Sequence, residues 1–312
     1  MVNDFLREGK IMKIGIDIGG SHLGMALIND DYKIVSKKEI DLPKDRSNIE
    51  DYIVRAIKNT VLGINKDISL IGICCCGTVK DGEIVKSVNL GIRNFNIVRI
   101  LREELKYSEK INTPIILRND TNCAAIAEKN LGSLEDYDDA LFLTVGTGIG
   151  GAYFYNGKLV EPKRFPGFEV GHMTIEKEGI LCNCGNHGCF EKYGSISALK
   201  AKVKEEYRID ILTGEKLVEM IREKRKFEGT SEYDRMEAIL VDYTKSLAIG
   251  ISNLINILEP EIVSLGGSFA YYEDLLLYRV DKNIKIFNDY SKPELVCAEL
   301  KNDAGILGAV IT

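Results

Sequence analysis

The sequence predicts an α/β protein built of two similar lobes. Strand and helix patterns alternate along the whole chain. A unit of strand, glycine-rich turn and strand occurs twice. With 312 residues the chain is long enough for two domains, or for one large domain of two lobes. Hydrophobic residues make up 45% and charged residues 28%, a globular balance that gives no sign of disorder.

The elements follow in order. Ile14, Ile16 and Ile18 alternate over Lys13–Ile18 as one face of a strand, with Gly15 and Asp17 on the other. Gly19-Gly20 interrupts it, Met25–Ile28 resumes the extended pattern, and Asn29-Asp30-Asp31 turns the chain towards a third strand near Lys33–Ile40. Ile49, Ile53 and Ile57 recur at helical spacing over Asn48–Gly63. Leu70–Cys75 is a buried strand ending near Gly77. Ile115–Arg118 is another, followed by Asn119-Asp120-Thr121-Asn122 and a helical run over Cys123–Asn130. The segment Ile16–Gly24 resembles Leu143–Gly151, and the second copy runs on into Asn156-Gly157, a strong hairpin signal. Two lobes that each open with such a hairpin would set the two glycine turns facing each other across a cleft. Met236, Ile239, Tyr243, Leu247, Ile251, Leu254 and Leu258 form a long apolar stripe that Pro260 ends. The strand Ile262–Leu265 then leads into Gly266-Gly267-Ser268.

Composition narrows the function. A net charge of -6 argues against a nucleic-acid surface, which needs a basic patch. The basic run Arg222–Lys226 is short and reads as a solvated face. No apolar run approaches the roughly 20 residues of a membrane span. Residues 1–11 lack the apolar stretch of a secretion signal and are expected to be a flexible leader. Of eight cysteines, Cys74, Cys75 and Cys76 lie together in an apolar run and Cys123 and Cys297 stand alone. That placement suits small core residues in a reducing compartment, so a cytoplasmic protein is expected.

Four groups of residues can carry chemistry. Gly19-Gly20-Ser21 and Gly146-Thr147-Gly148-Ile149-Gly150-Gly151 can turn backbone N–H groups towards phosphate oxygens; the plain alternative is two tight hairpins. A strand rather than a helix follows the second glycine group, against a dinucleotide fold, and no P-loop lysine is present. Asp17, on the strand before the first turn, is suited to hold Mg²⁺ through water. Asp120 is either part of a helix cap or a general base for an attacking hydroxyl. Cys182, Cys184 and Cys189, with His172 upstream, have the spacing of a tetrahedral zinc site; the alternative is unpaired buried cysteines. His172 is preferred over His187 as the fourth ligand because Met173-Thr174-Ile175 would fix it at the start of a strand. With four protein ligands the site would be closed and structural. Glu169, His172 and Glu191 in the same stretch are acceptors suited to hydroxyl groups.

Together these residues resemble the ROK family of repressors and sugar kinases, from about Met12 to the end of the chain. The first phosphate loop of that family, D-x-G-G-T-K, is similar to Asp17-Ile18-Gly19-Gly20-Ser21-His22, with Ser for Thr and His for Lys. N-D-A-N is similar to Asn119–Asn122, G-T-G-x-G-G to Gly146–Gly151, E-x-G-H to Glu169–His172 and C-x-C-G-x-x-G-C-x-E to Cys182–Glu191. The stretch Cys74-Cys75-Cys76-Gly77-Thr78-Val79 lacks the prolines of G-x-P-G-P-V, and Val88 replaces the proline before Asn89-Leu90.

The resemblance implies an actin-like, ribonuclease H-like, two-lobed ATPase fold with the active site in the interlobe cleft. The lobes would be residues 12–118, with a C-terminal helix of about 303–312 packing back on them, and 119–302 with the zinc loop 172–189. It further implies Asp120 as base for a sugar 6-hydroxyl. Gly77, Asn89, Asn119, Glu169, His172 and Glu191 would lie around the sugar. Asp17, Gly19, Gly20, Ser21, His22, the second glycine loop, Gly266, Gly267 and Ser268 would lie around ATP. Mg²⁺, structural Zn²⁺ and a homodimer complete the expectation. The implied activity is ATP-dependent hexose phosphorylation, with glucose first and N-acetylhexosamines, allose or fructose as alternatives. From another class come a sugar-sensing transcriptional regulator, which needs a helix-turn-helix domain before the first strand, and a sugar-binding protein without catalysis.

Overall fold

The computed structural model describes residues 11–108, 112–162, 168–210, 213–285 and 292–312. The expected leader, residues 1–11, lies outside them except for Ile11. The chain forms two compact units. One runs up to Ala127 and includes Asn302–Thr312; the other comprises Glu128–Val160 and Phe168–Lys301.

The first unit opens with β1 (Met12–Ile18), β2 (His22–Ile28) and β3 (Ile34–Asp41), an antiparallel meander. The helix α1 (Ile49–Gly63) crosses to β4 (Ile68–Cys75). A small sheet of β5 (Thr78–Lys80), β6 (Glu83–Ser87) and β7 (Ile92–Phe95) is followed by α2 (Ile97–Leu105), β8 (Ile115–Asn119) and α3 (Asp120–Leu131). The main sheet has the order β3-β2-β1-β4-β8, with β4 parallel to both β1 and β8. Ile14, Ile16, Ile18, Ile71 and Ile73 bury one face of it with Ile53 and Ile57 of α1. That is the burial the period-two and helical patterns dictate.

The other face is covered by the C-terminal helix Ala304–Ala309, shorter than the expected span 303–312. Glycines let that helix approach. A Cβ on Gly72 would lie 2.0 Å from the Ala309 carbonyl oxygen, and one on Gly15 2.5 Å from that of Ile306. Arg118 of β8 then binds the open end of the helix: its Nη1 donates to the Ile311 carbonyl at 2.9 Å. A cation there also complements the negative end of the helix. Gly72→Ala is expected to destabilise the protein by about 1–3 kcal/mol, the usual cost of overpacking. A urea midpoint equal to wild type would show that the helix is not seated as described.

The second unit repeats the plan. It contains β9 (Ala140–Val145), β10 (Ile149–Tyr155), β11 (Lys158–Leu159), α4 (Glu191–Gly194), α5 (Ile196–Tyr207), α6 (Gly214–Lys224), α7 (Ser231–Leu258), β12 (Ile262–Gly266), α8 (Glu273–Asn283) and β13 (Glu294–Cys297). Its sheet order β11-β10-β9-β12-β13 combines an antiparallel meander with two parallel strands, as in the first unit. The helix α7 has the length and composition to cross a bilayer, although it holds no unbroken apolar run of that length. Its apolar stripe is used otherwise. Met236, Leu240, Tyr243, Leu247, Ile251 and Leu254 are buried in the core of this unit. The helix ends at Glu259 in the left-handed conformation, just before Pro260.

Candidate active site

In the first unit the candidate side chains come from the carboxyl ends of the parallel strands β1, β4 and β8, where open α/β sheets place their ligands. Register puts Asp17, Cys74 and Arg118 in one row, and Ile18, Cys75 and Asn119 in the next. Asp17 is half-buried, and the Cys74 thiol donates to its Oδ1 at 3.3 Å. Burial pushes the Asp17 carboxyl up, partly offset by that hydrogen bond and by the charge of Lys37. A divalent cation at this carboxylate would reverse that balance.

The helix α3 begins at Asp120, three residues before the expected Cys123, because Asn119 supplies the cap. Asn119 Oδ1 accepts from the backbone N–H groups of Thr121 at 2.9 Å and Asn122 at 3.2 Å. Its amide nitrogen donates to the Gly77 carbonyl at 2.9 Å and to Asp120 Oδ1 at 2.9 Å. Capping therefore falls to Asn119, while Asp120 keeps its Oδ2 without a hydrogen bond among the described residues. Burial, with the Asp17 charge as a smaller contribution, raises the half-buried Asp120 carboxyl to about 6. A carboxylate with that pKa is ionised at neutral pH yet basic enough to take a proton.

The first glycine turn joins β1 to β2. The Gly19 N–H donates to the His22 carbonyl at 3.0 Å, and Gly20 abuts Asn89, to which an added Cβ would approach within 3.3 Å. Asn89 is exposed in the turn between β6 and β7, and Gly77 adopts φ +116 where a Cβ would strike the Lys86 carbonyl. His22 is exposed and turned to Ser21 Oγ at 2.7 Å and Asp41 at 3.1 Å.

The second unit assembles its own group. The turn Gly146-Thr147-Gly148 joins β9 to β10, with Thr147 exposed at its tip; Gly150 and Gly151 already belong to β10. Gly151 has no room for a side chain, since a Cβ would lie 2.7 Å from Val170. A Cβ on Gly146 would meet Ser268 Oγ at 3.5 Å, and one on Gly148 would meet Glu191 Oε2 at 2.8 Å. Gly266 ends β12, and Gly267 turns with φ +67 to bring Ser268 round. Glu191 is thus shared: its Oε1 accepts from the Cys182 thiol at 3.3 Å and lies 3.9 Å from His172 Nδ1.

The ligand atoms of His172, Cys182, Cys184 and Cys189 all lie within 4.8 Å of one another. Three thiols and one imidazole at that spacing fit a tetrahedral metal of nitrogen and sulfur preference. Burial and the neighbouring thiols push Cys189 up to about 12, so a bound cation is what would stabilise its thiolate. His172 sits in a 3₁₀ turn, Val170–His172, not at the start of a strand. The turn is held by Gly171, which packs so closely that a Cβ would lie 2.2 Å from the Ile149 carbonyl oxygen. His187, the rival ligand, turns its Nδ1 to the Gly179 carbonyl at 3.0 Å. His172 presents Nδ1 to Cys182 at 3.6 Å and leaves Nε2 towards Glu169, at 3.9 Å.

The model of the ROK family matches residues 13–312. The chain belongs to the ROK family. A glucokinase of Thermotoga maritima is 29% identical over 96% of each chain. A glucokinase of Halalkalibacterium halodurans is 30% identical over 95% of this chain and 92% of that one. The crystal structure of a ROK hexokinase from Thermus thermophilus, 27% identical, superimposes with a TM-score of 0.75 and covers 96% of both chains. The actin-like α/β fold expected from the sequence is the fold of this ROK enzyme.

Two contributors were not anticipated. Cys74 is the buried core residue expected, and its thiol is in addition the hydrogen-bond donor to Asp17. Strand alternation could have found it, because register with β1 places it on the Asp17 face. Arg46, in the loop before α1, donates to the Gly20 carbonyl at 2.6 Å. No local pattern marks it, since the contact joins residues far apart in the chain.

Proposed function

We propose that this ROK chain is an ATP-dependent hexose kinase that transfers the γ-phosphoryl group to a sugar 6-hydroxyl, with glucose the first candidate. The observation that carries the proposal is Asp120. It is held by Asn119 and the Thr121 N–H, stays half-buried at the end of β8, and has a pKa of about 6. In phosphoryl transfer the protein mainly positions the reactants and neutralises charge, so one correctly placed base and amide-rich turns suffice. Asp120 accepts the proton of the attacking hydroxyl. By the family resemblance, Asn89, Asn119, Glu169, His172 and Glu191 hold the other hydroxyls. The glycine turns supply N–H groups to the phosphates, and Asp17 would hold Mg²⁺ through water, which supplies the counter-charge.

The thiol–imidazole group supports a structural Zn²⁺. In this assignment His172 binds the ion through Nδ1 and keeps Nε2 for a sugar hydroxyl, so one ring serves both roles. His172→Ala is then expected to lose the metal and His187→Ala to keep it, as measured by zinc content of purified protein. Equal zinc in the two variants would remove His172 as the fourth ligand. The family resemblance further supports a cytoplasmic homodimer.

The proposal is tested by ADP release from Mg·ATP over a panel of hexoses and N-acetylhexosamines. Turnover with glucose establishes the activity; preference for N-acetylmannosamine, allose or fructose keeps the kinase and corrects the sugar. Folded protein without turnover on any sugar overturns the proposal in favour of a binding or regulatory role.

A further inference from the structure

Arg46 lies in the loop between β3 and α1, which is stitched to the first glycine turn at two points. The Leu42 N–H donates to the Ser21 carbonyl at 2.8 Å, and Arg46 Nη2 donates to the Gly20 carbonyl at 2.6 Å. The side chain also borders the Asn89 turn, for a Cβ on Gly91 would lie 3.9 Å from Arg46 Cβ. Arg46 Nη1 is buried and has no acceptor among the described residues. A guanidinium stays charged throughout the physiological range, so this arrangement concentrates a full positive charge directly behind the turn.

Peptide geometry gives the contact a consequence. The Gly20 carbonyl and the Ser21 N–H belong to one planar trans unit and point in opposite directions. Holding the carbonyl on Arg46 therefore turns the Ser21 N–H away from Arg46. Among the described residues no acceptor meets the N–H of Gly20 or Ser21. Gly20 has the conformational freedom to let this peptide flip, so an outside hold is needed to fix it.

We propose that Arg46 is the positioning residue of the first glycine turn, fixing the Gly20–Ser21 peptide so that its N–H receives a nucleotide phosphate oxygen. The inference rests on the kinase assignment for the identity of the ligand, a nucleoside triphosphate. It is tested on the full chain with Arg46→Met and Arg46→Lys, using calorimetric titration with Mg·AMPPNP beside steady-state kinetics. Arg46→Met is expected to weaken Mg·AMPPNP binding and raise KM for Mg·ATP about tenfold or more, the scale of one charge-assisted hydrogen bond, with sugar KM unchanged. Arg46→Lys keeps a charged donor without the fork and should recover part of the loss. A general loss of structure would instead lower kcat and raise both KM values, with no rescue by lysine.

Nucleotide binding in Arg46→Met equal to wild type overturns the proposal, as does a wild-type chain that binds no Mg·AMPPNP. A wild-type chain that binds it but phosphorylates no hexose removes the kinase assignment, while weakened binding in Arg46→Met still upholds the role of Arg46. Should Arg46→Met fail to fold, the wild-type Ser21 amide resonance decides: it should shift on adding Mg·AMPPNP, and an unmoved resonance overturns the proposal.

Discussion

Replacing Asp120 with Asn is expected to lower kcat by about 10²–10⁴-fold, the range spanned by loss of a general base. Sugar KM and zinc content should stay near wild type, because Asn can keep the contacts to the Thr121 N–H and Asn119 that place the side chain. The pH profile gives a second measure. With the carboxyl of the free protein raised to about 6, wild-type kcat/KM should climb as pH rises through that value and then level, and the variant should lack this limb. Stability should move the opposite way. Burial raises the folded pKa above the ordinary 3.8, so the group favours the native state fully below that value and loses this contribution as pH rises through about 6. At pH 7.5 the ionised carboxylate is held at a cost, and a neutral Asn of the same shape should raise Tm. Turnover of Asp120→Asn equal to wild type would remove Asp120 as the base.

Cys184→Ser is the second large effect. Cys184 is exposed while Cys182 and Cys189 are buried, so its replacement disturbs packing least and reports mainly on the metal. Zinc content should fall from one per chain to nearly none, with a lower Tm, because metal binding contributes directly to folding. Glu169, His172 and Glu191 are tied to the same loop through the contacts of His172 and Cys182. Loosening it should raise sugar KM about 10–100-fold, the scale of a misplaced positioning group. In the wild type, acid should release the ion, since thiolates bind it and thiols do not. Zinc retained at the wild-type level in Cys184→Ser would refute the assignment of this cluster.

Much of this site was legible because its motifs are local. Gly19-Gly20-Ser21 and Gly146-Thr147-Gly148 form turns wherever two strands must reverse within a few residues, so their composition announces them. The cysteine group was equally readable: Cys182, Cys184 and Cys189 lie so near in sequence that the loop brings the thiols together, with Gly185 and Gly188 both at positive φ. The repeat was visible too, and it emerged as one strand order used in both units. The start of α3 was less so, because Asn119 and Asp120 are both good caps and only the hydrogen bonds show which one is used.

The sequence by itself determined the α/β class, the two hairpin-led units, the family and the types of groups available for chemistry, because periodicity and short-range turn chemistry are local properties of a chain. Tertiary structure alone decided which of these groups meet. Strand register set the Cys74 thiol on Asp17, and the bond from Asn119 to the Gly77 carbonyl joins the end of β8 to the turn after β4. His172, preferred already from the sequence, meets the three thiols from a 3₁₀ turn rather than a strand start, while His187 Nδ1 faces the Gly179 carbonyl. The hold of Arg46 on Gly20 joins a loop and a turn with two strands between them in sequence. The pKa of Asp120 likewise comes from burial by residues that folding brings around it. Such contacts depend on how elements pack, and packing is set by the whole fold at once rather than by any one segment of the chain.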